Sequence, residues 1–72
     1  MDKIATCKEL TAREAEVMSY VLEGMTNAQI AEKMFITKHT VKAHISKILE
    51  KLCVKDRIQA AVKATKENMI FH

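Results

Sequence analysis

The chain has 72 residues, 12 Lys and Arg against 9 Asp and Glu, a formal net charge of +3 and 49% hydrophobic residues. That is one domain at most, burying only about 60% of its unfolded-chain surface, with no room for a catalytic cleft between two layers. Proline is absent and Gly24 is the only glycine, so helix-favouring residues dominate and no hairpin signal is present.

Residues 1–9 show no sustained periodicity and read as a flexible lead-in to a domain over 10–72. No run approaches the ~20 apolar residues of a membrane span. The start, M-D-K-I-A-T-C-K, lacks the apolar core of a signal peptide. Cys7 and Cys53 are far apart and form no C-x-x-C pair, which suits reduced thiols. A cytoplasmic location without membrane contact is expected.

The first helix is expected over about 11–23. Thr11 and Glu14 form a capping box, Leu10 stands at the staple position, and Val17, Met18, Val21 and Leu22 make the apolar face. Gly24 is placed to end it in the left-handed conformation. The second helix, about 27–34, starts on another box, Thr26 with Gln29, and turns Ile30, Ala31 and Met34 inward. Phe35 and Ile36 make a short apolar turn that lacks the usual glycine, and Thr37 caps the next helix. Two helices joined so closely must cross steeply as a helix-turn-helix, here about 26–45 and extending through 52.

The third helix, about 38–52, divides cleanly. At about 100° per residue Val41, Ile45, Ile48 and Leu52 fall on one stripe, and His39, Lys42, Ala43, Ser46 and Lys47 lie opposite. A rod held by its apolar edge can present that other face to the major groove of DNA. Lys42 suits guanine O6 and N7 or a phosphate, Ala43 allows close approach to a thymine methyl, and Ser46 can donate or accept. Lys38 and His39 occupy the first turn, where helix N–H groups favour phosphate. Thr26 and Asn27 are weaker candidates for the backbone. Arg57 is expected either to reach a phosphate or to brace the turn from Leu52 to Asp56.

The fourth helix, about 57–67, opens on a third box, Asp56 with Gln59. Ile58, Ala61, Val62 and Thr65 lie on one side and Ala60 and Ala64 on another. One face is expected on the domain and the other on a second copy. The tail Met69-Ile70-Phe71 is expected to fold back on the core. Charge divides along the chain. From Thr37 to Arg57 there are Lys38, Lys42, Lys47, Lys51, Lys55 and Arg57 against Glu50 and Asp56, whereas from Glu9 to Glu32 there is Arg13 against Glu9, Glu14, Glu16, Glu23 and Glu32. Such a dipole suits a partner that is a polyanion, though solvated helix faces would also produce it.

The spaced motifs are Leu10-Thr11-x-Arg13-Glu14-x-Glu16-Val17, Glu23-Gly24-x-Thr26-Asn27-x-x-Ile30-Ala31, Ile36-Thr37-x-x-Thr40-Val41-Lys42-x-His44-Ile45 and Lys51-Leu52-x-Val54-x-x-Arg57-x-x-Ala60. Over Leu10 to Ala64 the chain closely resembles the LuxR/FixJ/GerE-type DNA-binding domain of bacterial transcription regulators. The resemblance implies an all-α, compact four-helix domain that binds double-stranded DNA and regulates transcription. It implies base contacts at Lys42 and Ala43, and phosphate contacts near Thr40 and Lys47. Ser46 stands at a base-facing position that is often Lys or Arg in relatives, and Cys53 stands where glycine is usual. A homodimer through the fourth helix is implied, with Ala60, Ala61, Ala64 and Thr65 expected at the contact, and RNA polymerase is a further partner to consider.

Two other readings stand beside this one. A sigma-factor region reads promoters with a similar helix-turn-helix, and a small protein-interaction module could use the fourth helix. No enzyme is expected, because no activated nucleophile or paired carboxylate emerges. His39, His44 and His72 lack zinc spacing, so neither metal nor cofactor is expected. His44, at the edge of the apolar stripe, reads as a packed, hydrogen-bonded histidine. Tyr20, Phe35 and Phe71 form no stacking platform for RNA. No small-molecule sensor is legible; a receiver or ligand-sensing domain would lie before Met1.

Overall fold

The computed structural model describes residues 10–66. Four helices follow in order, α1 (Ala12–Leu22), α2 (Asn27–Met34), α3 (Lys38–Leu52) and α4 (Arg57–Lys66), and no strand occurs among the described residues. The expected tail contact through Met69-Ile70-Phe71 and the lead-in over 1–9 lie outside the described residues.

The starts are set by side chains. Thr11 Oγ1 accepts from the Glu14 N–H at 3.1 Å while the Thr11 N–H donates to Glu14 Oε1 at 2.9 Å. Thr26 and Gln29 repeat both bonds at 3.2 and 2.9 Å. Thr37 Oγ1 accepts from the Thr40 N–H at 3.0 Å. At α4 the box is split: Asp56 Oδ1 accepts from the Gln59 N–H at 2.8 Å, but Gln59 Oε1 accepts from the Lys55 N–H, one residue earlier than expected.

Three helices end in one pattern. Gly24, Phe35 and Cys53 take positive φ of 86°, 58° and 60°. In each case the next residue donates its N–H back five positions: Met25 to Tyr20 O, Ile36 to Ala31 O and Val54 to Leu49 O. This closes the orphaned last carbonyls. Met25, Ile36 and Val54 then pack against the core. Phe35 therefore stands where glycine is usual, and its ring is 94% exposed. The turn is not an apolar pair: Ile36 goes in and Phe35 stays out. A non-glycine residue in this conformation costs roughly 1–2 kcal/mol.

The core comprises Val17, Met18 and Val21 of α1, Ile30, Ala31 and Met34 of α2, Val41, Ile48 and Leu52 of α3, and Ala60 and Ala64 of α4. α3 lies at its centre, touching each of the other helices. Two residues depart from the expected faces. Leu22 is 40% exposed at the end of α1, and Ile45 is only half-buried on α3.

A polar contact fixes α1 against α3. Lys51 Nζ, near the end of α3, donates to Glu14 Oε1 at 2.7 Å, and Glu14 is buried. Burial raises the pKa of this carboxyl, but the hydrogen bonds from Lys51 and Thr11 and the Lys51 charge outweigh it, holding the group below the ordinary carboxylate value. A residue expected only to cap a helix thus also anchors the central one. At the other junction Lys63 Nζ donates to Leu52 O at 3.0 Å, tying α4 to the last turn of α3.

Candidate nucleic-acid interface

Because Val41, Ile48 and Leu52 are drawn fully into the core, the opposite side of α3 must face solvent. Lys38, His39, Lys42, Ala43, Ser46 and Lys47 are all exposed. Positions 39, 43 and 47, and 38, 42 and 46, are spaced by four and stack along the rod. The result is a continuous surface of three ammonium groups, an imidazole, a hydroxyl and one methyl. Thr40 is half-buried, its hydroxyl 3.0 Å from that of Thr37. That hydroxyl serves the helix start, and it stands beside the cationic face rather than within it.

The first turn of α3 meets the start of α2 across an open groove of about 400 Å³ lined by Thr26, Asn27, Ala28, Lys38, His39 and Lys42. The groove collects both weaker sequence candidates, Thr26 and Asn27, with three of the stronger ones. Ala28 was not singled out from sequence, because a lone alanine carries no polar signal. Its position one turn-step past two groove residues could have suggested it. Ala43, Ser46 and Lys47 lie further along α3, outside the groove.

Arg57 makes contacts that neither reading of the sequence named. Its Nη1 donates to Asn27 Oδ1 at 2.7 Å and its Nη2 to the Met25 carbonyl at 2.9 Å. Arg57 is half-buried, with its guanidinium between the starts of α4 and α2, and at the turn after Leu52 the Lys63 ammonium donates to the Leu52 carbonyl. His44 is half-buried and has no hydrogen bond among the described residues, so the expected hydrogen-bonded packing is only half realised.

The residues expected at a dimer contact separate. Ala60 and Ala64 are 1% exposed and belong to the core, because their small side chains let α4 lie close to α1 and α3. They offer nothing to a second copy. Ala61 is half-buried against the core and Thr65 is exposed. The outward face is instead led by Ile58, 73% exposed, and Val62, 52% exposed.

Among the described residues no group of three His, Cys, Asp or Glu is placed to hold a metal ion, and no helix is long and apolar enough to cross a membrane. Against known proteins, the family model described as "Bacterial regulatory proteins, luxR family" matches residues 8–64. The chain belongs to the luxR family of bacterial regulatory proteins. The match covers all four helix starts and the helix-turn-helix, and gives this luxR-family domain the coarse role of DNA binding in transcription regulation. It is 49% identical over 63 residues to transcriptional regulatory protein LiaR of Bacillus subtilis (strain 168), covering 88% of this chain and 30% of that protein. It is 52% identical over 54 residues to transcriptional regulatory protein LnrK of the same organism, covering 75% of this chain and 24% of that one. The crystal structure of the response regulator ChrA, from a heme-sensing two-component system, matches with a TM-score of 0.80 at 38% identity, over 88% of this chain and 31% of that chain. The luxR-family domain thus spans under a third of the length of these three proteins.

Proposed function

We propose that this domain binds a specific double-stranded DNA sequence by laying α3 in the major groove, and that it regulates transcription as a homodimer. The observation that carries the reading is the exposure of Lys42, Ala43 and Ser46 on the side of α3 opposite its buried stripe. Lys42 supplies a donor for guanine O6 and N7 or a phosphate. Ala43 lets the helix axis approach the base edges. Ser46 adds a short polar contact that discriminates weakly by itself. Lys38, His39 and Lys47 engage phosphates on either side, with Thr40 beside them. The groove residues Thr26 and Asn27 face the backbone next to Lys38 and His39, where two helix starts add N–H groups of the same polarity.

Pairing of two copies is assigned to the outer face of α4: Ile58, Val62 and Thr65, spaced by four and three, with Ala61 at the margin. Apolar side chains this exposed on so small a domain are a surface suited to self-complementary contact. RNA polymerase is a partner of the regulatory step only in so far as DNA binding brings the domain to a promoter.

The test is selection of binding sites from a random duplex pool, followed by gel shift and sedimentation of the winning complex. If Lys38, Lys42 and Lys47 each neutralise one phosphate, the slope of log affinity against log salt should be about −2.7 per copy and about −5 for a dimer. Two copies on a two-fold-related site are expected. Binding that ignores salt, or no enrichment from the pool, would overturn the proposal.

A further inference from the structure

Like Lys51, Arg57 is a cation of the basic segment turned onto the protein, and what it grips lies at the groove lined by Thr26, Asn27, Lys38, His39 and Lys42. In the connector between α1 and α2, Met25 is held at both its backbone N–H and its carbonyl. The Met25 N–H donates to Tyr20 O at 3.2 Å, and the Met25 carbonyl accepts from Arg57 Nη2 at 2.9 Å. Thr26, the cap of α2, follows directly, so the fork of Arg57 fixes where α2 begins. Its second prong takes Asn27 Oδ1 at 2.7 Å, short enough to be a strong charge-assisted bond. A primary amide has one acceptor end and one donor end. With the oxygen committed to Arg57, the end left to Asn27 is its NH2, and no hydrogen bond to that NH2 occurs among the described residues. Asn27 lines the groove with Thr26, Lys38, His39 and Lys42.

We propose that Arg57 is a positioning residue for the nucleic-acid interface: by holding the Met25 carbonyl and the Asn27 oxygen, it makes Asn27 present a hydrogen-bond donor to a backbone phosphate. Phosphate oxygens only accept, so an amide turned the other way would meet them with its own oxygen. Arg57 is also the first residue of α4, whose outer face is assigned to pairing. The same fork therefore ties the start of α4 to the start of α2, linking the helix of the pairing surface to the groove. This inference rests on the DNA-binding reading and adds to it the residue that orients Asn27, distinct from the α3 face.

Two substitutions separate positioning from direct contact and from mere structural support. Arg57→Lys keeps the charge but not the planar fork. If Arg57 touched phosphate itself, lysine would retain the contact. As a positioning residue it should lose about tenfold in affinity for the selected duplex, with the salt slope unchanged. Asn27→Asp keeps the bond to Arg57, now as an ion pair, and suits a helix start, but replaces the donor with a second acceptor. It should melt at or above the wild-type temperature and still lose about tenfold or more in DNA affinity. In the free protein, amide spectra of Arg57→Lys should show shifts at the Asn27 side chain and at Lys38 and His39, whereas those of Asn27→Asp should leave the α4 amides in place. Binding is measured well below each variant's melting temperature. Wild-type binding with either variant within twofold of it overturns the inference and leaves the DNA reading standing. A wild-type domain that binds no duplex overturns the DNA reading itself, and this role with it.

Discussion

Lys51→Met is the most informative change in the scaffold. The Lys51 side chain is 23% exposed and that of its partner Glu14 6% exposed, with 2.7 Å between Nζ and Oε1. Methionine keeps an aliphatic stem of similar length but leaves the Glu14 carboxylate with the Thr11 N–H alone. Breaking a buried pair by removing one partner costs roughly 3–5 kcal/mol. Because the ammonium retains some water contact, a loss of about 2–3 kcal/mol is expected, with the melting midpoint down by about 10 °C or more. The rescue is written elsewhere in the chain. At α2 a glutamine completes the same capping box, with the Thr26 N–H to Gln29 Oε1 at 2.9 Å, as in the Thr11–Glu14 bond. Glu14→Gln combined with Lys51→Met should therefore keep the box, remove the orphaned charge, and lie within about 1 kcal/mol of wild type. Urea melts of the four proteins give the cycle directly. Acid titration gives a second reading. The Glu14 pKa is lowered in the folded state, so its stabilisation is full above the unfolded-state value and is lost as pH falls through the lower folded value. Lys51→Met should flatten that acid limb. A single mutant within about 0.5 kcal/mol of wild type, or a double mutant less stable than the single, would refute the argument.

Phe35→Gly should raise stability by about 1 kcal/mol, seen as a higher melting midpoint, because it relieves the left-handed conformation and removes a ring that packs on nothing; a fall would show that the ring contributes in some other way. Val62→Glu should leave the monomer's melting curve nearly unchanged while reducing two-copy occupancy of the selected duplex, read by sedimentation, whereas Ala64→Glu, within the core, should unfold the domain. Lys47→Ala should weaken binding to all duplexes alike and make the salt slope shallower by about 1, and an altered base preference would move Lys47 from the phosphates to the bases.

Much of this architecture was legible because it is local. The boxes at Thr11 and Thr26, the cap at Thr37 and Gly24 after α1 are short-range signals, and the helix bounds agree with them to within a residue or two. The division of α3 was legible for the same reason, since the apolar stripe fixes which side stays wet. What escaped were contacts between residues distant in the chain. Glu14 with Lys51 and Arg57 with Asn27 join residues 37 and 30 positions apart, and no periodicity reports such pairs. α4 was misjudged in one respect because alanine fits two roles. A small residue that permits close packing can equally serve a core or an interface, and burial assigns Ala60 and Ala64 to the core. The two residues of the apolar turn were not told apart by sequence: the left-handed position that ends α2 leaves Phe35 exposed, while Ile36 packs on the core.

The most direct test is amide chemical-shift mapping of the labelled domain during titration with its selected duplex. The largest changes should fall on Lys38, His39, Lys42, Ala43, Ser46 and Lys47, with smaller ones at Thr26 and Asn27, while the outer residues of α1 stay still. If the changes gather on α1 or the outer side of α4 and the α3 positions do not move, the domain does not meet DNA as described.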